Sequence, residues 1–257
     1  MEIIGEDLHP MNQSFIQAIE TLDQASLTKI AVAQVDAGAT ALVVNLGSSK
    51  KLGRLTPWLV ETIQGAINIP LLLSSHVLQQ QRALEIHTGT ATINAVTASS
   101  TSLTKAMETA KYFSANLVVL LVSDHLVPAN VDDRLLLANQ VIDTANQTGL
   151  PLTQLYIDPV ICCRPDPASW SLSAGLPDID MLLETIYLLG ELTSPALKTI
   201  IGLSNSSVCL AKADRSAFHC RLLPLLAEAG LDAVIMNCHD SNLMTVAKSL
   251  QIQHEAA

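Results

Sequence analysis

Ile200-Ile201-Gly202-Leu203-Ser204-Asn205-Ser206-Ser207-Val208-Cys209 runs from two apolar β-branched residues through a glycine into a cluster of small polar side chains. This describes a buried strand that ends in a polar loop, with Asn205 projecting from the strand's C-terminal end. Leu155-Tyr156-Ile157-Asp158-Pro159 has the same shape, with a carboxylate at its end. Parallel strands covered by helices on both faces read as such continuous apolar runs, so the two stretches select an α/β fold. They also set an amide and a carboxylate at strand ends, which suits a site for a flat, nitrogen-rich heterocycle.

Outward from these stretches, strand-like and helix-like segments alternate eight times. The strand candidates are residues 3–5, 39–45, 69–74, 90–94, 117–122, 154–158, 198–203 and 232–237. Helical spacing of apolar residues covers 26–37, 101–113, 130–147, 179–192 and 214–229. Gly38, Gly149 and Gly230 follow helical stretches, where a left-handed C-cap is wanted, and Pro70 and Pro151 cannot continue a helix. Eight βα units in 257 residues predict a (β/α)8 TIM barrel, read as a single domain over residues 1–257. The glycine-rich phosphate loops of the doubly wound alternative are absent from the sequence. Residues 162–177 hold Pro165, Pro167, Trp170 and Gly175 and read as irregular, either a lid or an elaborated loop.

Composition narrows the function. Hydrophobic residues make up 49% but aromatics only 3%, a mix of Ala, Leu, Ile and Val that fits a large strand-and-helix core. No apolar run approaches the length of about 18 residues that a membrane helix needs. The opening residues, Met1 to Glu6, carry no basic region and no secretion-type apolar stretch, so a cytoplasmic protein is expected. The net charge is −10 with 14 basic residues, which disfavours nucleic acid and anionic membranes as partners. Five cysteines without a C-x-x-C pair support neither a disulfide framework nor a zinc ribbon.

Barrel enzymes carry their chemistry at the C-terminal ends of the strands. Those ends offer Glu6, Asn45 with Gly47, Ser74 with His76, Asn94, Asp124 with His125, Asp158, Asn205, and Asn237 with His239 and Asp240. The set is rich in amides, and Lys198 stands at the wrong end of its strand for Schiff-base chemistry. His9, His76, His125 and His239 lack metal-ligand spacing, so no metal site is expected. The vicinal Cys162-Cys163 read as packing residues. Asp158 also reads as a turn starter and Asn205 as a helix cap. A carboxylate accepting two N–H bonds from an aminopyrimidinone edge gains about 1.5–3 kcal/mol per bond.

The runs Gly202-Leu203-Ser204-Asn205-Ser206-Ser207, Leu155-Tyr156-Ile157-Asp158-Pro159, Ile4-Gly5-Glu6, Asn45-Leu46-Gly47 and Ile93-Asn94 carry a resemblance. From about Met1 to about Leu250 the chain resembles the pterin-binding methyltransferase family. That family includes methyltetrahydrofolate:corrinoid methyltransferases and the folate domain of cobalamin-dependent methionine synthase, and has a dihydropteroate-synthase-like barrel. The resemblance implies a barrel, usually dimeric, that moves a methyl group between N5 of methyltetrahydrofolate (or tetrahydrofolate) and the cobalt of a corrinoid (cobalamin) carried by a separate protein. Asp158 and Asn94 would hold the pterin's polar edge and Asn205, the catalytic residue, would hydrogen-bond near N5. Ser74, Asn45, Glu6, Gly202 and Ser204 would complete the binding site.

Three departures accompany the likeness. Ser74 stands where the family has an Asp, Val43 and Val44 precede Asn45 where an Asp is common, and Ala95-Val96-Thr97 replaces a Ser-Thr-Asn-like run. Losing the strand-three carboxylate costs about 1–3 kcal/mol of pterin binding. This motivates a second reading, a catalytically idle or altered-pterin relative that docks a corrinoid protein or a paralogous subunit. Dihydropteroate synthase itself carries a late Lys-x-Arg, a spacing that Lys212 and Arg215 do not have.

Overall fold

The computed structural model describes residues 1–47, 53–74, 81–99, 101–123, 127–161, 163–166 and 171–255. Its strands are β1 (Glu2–Leu8), β2 (Ala41–Val44), β3 (Leu71–Ser74), β4 (Thr92–Thr97), β5 (Asn116–Leu120), β6 (Leu155–Asp158), β7 (Arg164–Asp166), β8 (Ser171–Gly175), β9 (Lys198–Gly202) and β10 (Ala233–Met236). Its helices are α1 (Gln13–Glu20), α2 (Gln24–Ala37), α3 (Thr56–Gln64), α4 (Gln81–Ile86), α5 (Leu103–Phe113), α6 (Val131–Thr148), α7 (Ile179–Glu191), α8 (Lys212–Glu228) and α9 (Ser241–Glu255). Eight parallel strands close into a barrel in the order β1-β10-β9-β6-β5-β4-β3-β2. The expected (β/α)8 architecture is present. No helix among the described residues is long and apolar enough to cross a membrane.

Local chemistry sets the boundaries. Asn12, Asp23, Asn130 and Asp178 cap the starts of α1, α2, α6 and α7, each accepting a backbone N–H from the first turn. Gly38 and Gly149 end α2 and α6 at φ of 117° and 72°, a left-handed region open to a residue without Cβ. Among the differences from the sequence expectation, three bear on the site. β9 stops at Gly202, and Leu203–Ser207 winds into a 3-10 turn. There Ser206 Oγ donates to Leu203 O at 2.6 Å and Ser207 Oγ to Ser204 O at 3.3 Å, so hydroxyls compete for backbone acceptors and end the strand. α8 begins at Lys212 and continues through Pro224. The stretch expected to be irregular contains the antiparallel pair β7–β8, inserted between β6 and α7.

Side chains alternate between two compartments. Ile3, Leu42, Leu73, Ile93, Leu117, Ile157 and Ile201 face outward into the layer between strands and helices. Ile4, Ala41, Val43, Leu72, Val118, Tyr156, Ile200 and Ala233 fill the barrel interior. At the N-terminal end, Tyr156 donates to Glu2 Oε1 at 2.8 Å and Lys198 Nζ donates to Tyr156 Oη at 3.4 Å. Lys198 therefore belongs to the bottom of the barrel, and the apolar plug lies below the C-terminal mouth.

Candidate functional site

Two β-bulges shape that mouth. In β1, Gly5 pairs with Leu42 and Leu8 with Val44, so Glu6 and Asp7 together oppose one residue of β2. The displaced Asp7 N–H donates to Gln34 Oε1 at 2.9 Å, and Gln34 is fully buried in α2. A Cβ on Gly5 would run into the Gln34 carboxamide and come within 2.8 Å of Leu42, so a glycine is needed where the strand bends. In β4, Asn94 pairs with Val118 and Val96 with Val119, leaving Ala95 as the extra residue.

Side-chain turns set the strand ends. Asn45 Oδ1 accepts from Gly47 N–H at 2.7 Å, Asp158 Oδ1 from Val160 N–H at 2.7 Å, and Asn237 Oδ1 from His239 N–H at 2.9 Å. Each side chain uses one oxygen to start the loop. The turn-starting reading of Asp158 is correct and is compatible with its place in the site. Gly47 supplies a φ of 66°, while Val160 adopts 62°, an unusual conformation for a β-branched residue.

The mouth encloses a cavity of about 680 Å³. Glu6, Asn45, Asn94, Asp158, Gly202, Ser204 and Asn205 all line it, so these predicted residues meet from β1, β2, β4, β6 and the β9 end. Ser74 pairs in register with Asn94 at the end of β3. Ser75, His76, Asp124, His125, Cys162 and Trp170 lie outside the described residues. Asn205 does not extend a strand but sits in the 203–207 turn. A Cβ on Gly202 would lie 2.9 Å from Asn205 Nδ2, so the glycine makes room for the carboxamide. The Cys163 thiol donates to the carbonyls of Asn205 and Ser206 at 3.8 and 3.7 Å.

Burial holds two carboxyl groups of the cavity above their ordinary range. Burial pushes Asp158 up to about 7, against the opposing pull of the Val160 N–H and the Arg134 charge. Burial also raises Glu6, against the Ser204 hydroxyl, which donates to Glu6 Oε1 at 2.6 Å. Near neutrality Asp158 exchanges between acceptor and donor, which matches a ligand edge presenting both N–H and C=O. Among the described residues no cluster of His, Cys, Asp and Glu has metal-site geometry.

The opposite wall was not found from sequence. Met11, Ser207, Val208, Ser216 and His219 line the cavity, and so do Lys212 and Arg215. His219 had one legible signal: it is a polar residue on the buried face of a helix, with Leu222, Leu223 and Leu226. Ser207 was legible only as part of the polar run after β9, and the turn is what brings it to the cavity.

The family described as "Pterin binding enzyme" matches residues 11–237. A methylcorrinoid:tetrahydrofolate methyltransferase of Eubacterium limosum is 23% identical over 248 residues, covering 95% of this chain and 88% of its own. A dihydropteroate synthase of Xanthomonas albilineans, solved with 4-aminobenzoic acid, superposes with a TM-score of 0.71 at 16% identity, covering 99% of this chain and 92% of its own. A Yersinia pestis dihydropteroate synthase, solved with a pterine-sulfa conjugate, gives 0.70 at 13% identity, covering 100% and 94%. At these identities the solved structures speak for the barrel.

Proposed function

The chain belongs to the pterin-binding enzyme family, and from that premise we propose that it transfers a methyl group between N5 of a reduced folate and the cobalt of a corrinoid protein. The observation that carries this reading is the convergence of Asp158, Asn94, Glu6 and Asn205 on one cavity at the barrel mouth. Asp158 and Asn94 grip the N–H and C=O groups of the pterin edge, Glu6 and Ser204 border the ring, and Asn45 offers the amide nitrogen that its turn leaves unused. Asn205 hydrogen-bonds beside N5, where its carboxamide can donate to N5 as a leaving nitrogen or accept from N5–H. A hydrogen bond that strengthens as charge develops on N5 lowers the barrier, by about 2.7–4 kcal/mol if it acts like one oxyanion-hole donor.

The Eubacterium limosum relative supports tetrahydrofolate as methyl acceptor and a methylated corrinoid protein as donor. The corrinoid (cobalamin) then arrives on a partner at the open mouth, where Met11 and Val208 are exposed. Residues 1–257 act as one domain in this reading. Tyr112, Leu136 and Tyr187, exposed on the neighbouring helices α5, α6 and α7, favour a homodimer. The free thiols Cys163, Cys209, Cys220 and Cys238 suit a cytoplasmic setting.

Calorimetric titration with tetrahydrofolate, followed by methyl transfer from a methylated corrinoid protein, tests the reading. No heat at millimolar folate sinks it. Ser74, in place of a carboxylate beside Asn94, favours a second reading, an idle relative that only docks a corrinoid protein or paralogous subunit. Under that reading Ser74→Asp raises pterin affinity about tenfold or more while the parent transfers no methyl group.

A further inference from the structure

Methylating N5 of a tetrahydropterin requires a place for a proton. The N5 lone pair forms a bond to the methyl carbon, the carbon–cobalt bond breaks and leaves its electron pair with cobalt, and N5 sheds its hydrogen. Asp158 and Glu6 are engaged at the pterin edge and ring in the reading above, and neither the Asn205 carboxamide nor a serine hydroxyl is basic enough to accept it at neutral pH.

His219 stands on the wall of the same cavity, with its ring hydrogen-bonded to Ser207. Its Nε2 lies 2.8 Å from Ser207 Oγ, and Ser207 donates its single hydrogen to Ser204 O at 3.3 Å. Satisfying both contacts requires Nε2 to carry the imidazole hydrogen and donate it to Ser207. Nδ1 is then the lone-pair nitrogen, and among the described residues no donor reaches it. Ser207 is fully buried and His219 is 7% exposed, so packing holds the ring. An imidazole fixed in one tautomer by a hydroxyl, with its other nitrogen open, has the arrangement of a general base.

We propose that His219 Nδ1 is the proton acceptor for N5 of the reduced pterin, directly or through one water, with Ser207 as the positioning residue that fixes its tautomer. The inference rests on the methyl-transfer reading above and extends it to the proton. The imidazolium formed returns its proton to solvent after transfer, and in the reverse direction it supplies the proton that N5 gains. Burial lowers the basicity of His219, Arg215 on the same helix lowers it further, and Asp240, just ahead of α9, opposes both. The 203–207 turn packed on α8 brings only hydroxyls and amides. The ring is therefore neutral and ready to accept a proton at pH 7.

The test is single-turnover methyl transfer from a methylated corrinoid protein to saturating tetrahydrofolate between pH 5.5 and 8.5, for the wild type, His219→Gln and Ser207→Ala. The wild-type rate should climb with pH along a limb centred below 6.5, the ordinary histidine value. His219→Gln should lose that limb and about 100-fold in rate, with folate affinity by calorimetry kept within about twofold. An unchanged rate and limb in a variant that still binds folate overturns the proposal, as does a loss confined to affinity. If His219→Gln does not fold, Ser207→Ala decides, since it should slow transfer severalfold and an unaltered rate overturns the role. Nitrogen NMR of the free protein should show the Nε2–H tautomer of His219, and the Nδ1–H tautomer would sink this proposal while leaving the methyl-transfer reading intact. No transfer by a folate-binding wild type overturns that reading and this one together.

Discussion

Asp158 opens the loop after β6 through Val160 and lines the cavity, and these two demands pull on its charge in opposite directions. Burial raises the carboxyl from 3.8 to about 7. A group whose native value lies above its unfolded value stabilises the fold fully below the unfolded value, and that contribution is lost as pH rises through about 7. The form that accepts N–H bonds from a pterin edge is gained over the same window. Folate affinity should therefore increase from pH 6 to pH 8 in calorimetric titrations. Asp158→Asn should flatten that dependence and weaken binding by about 10- to 100-fold, the value of one charge-assisted bond. The same variant should melt higher than the wild type at pH 8, with the gap closing toward pH 5, at about 2–4 °C per kcal/mol. Equal melting at both pH values would contradict the buried charge.

Elements, rather than single residues, aim the site. The β1 bulge turns Glu6 and Asp7 out of the ladder, and Gln34 of α2 satisfies the freed Asp7 N–H. This explains an amide at 0% exposure on a helix face shared with Leu27 and Ala31. Gln34→Leu keeps the volume but strands that N–H, so it should cost about 1–3 kcal/mol in denaturant unfolding. It should also weaken folate binding severalfold by releasing the bulge that carries Glu6. Unfolding at the wild-type midpoint would mean that the bulge needs no such support. The 203–207 turn is a comparable device, held by Ser206, Ser207 and Cys163. Its residues were legible as a polar loop, but its helical winding was not, because hydroxyl-to-carbonyl bonds form only once the strand ends.

At the scale of the molecule, the barrel separates a stabilising bottom from a reactive mouth. Tyr156, Glu2 and Lys198 join three strands at the bottom, at the far end of β6 from Asp158. Tyr156→Phe should cost about 1 kcal/mol of stability and leave folate affinity unchanged, as read by melting and calorimetry. A change in affinity would show that the two ends are coupled. The sequence alone determined the eightfold βα alternation, because burial on both faces writes itself as short Val-, Ile- and Leu-rich runs between helical spacings. It also determined the polar strand ends, because a loop at a barrel mouth must satisfy its own backbone with Asn, Asp and Ser. Only the tertiary structure decided that these ends share one cavity, that a bulge turns Glu6 and another follows Asn94, and that Ser207 and His219 close the opposite wall. Those facts depend on strand register and on contacts between residues up to 198 positions apart, such as Ser204 with Glu6, and a local pattern holds no record of which distant segment it will meet.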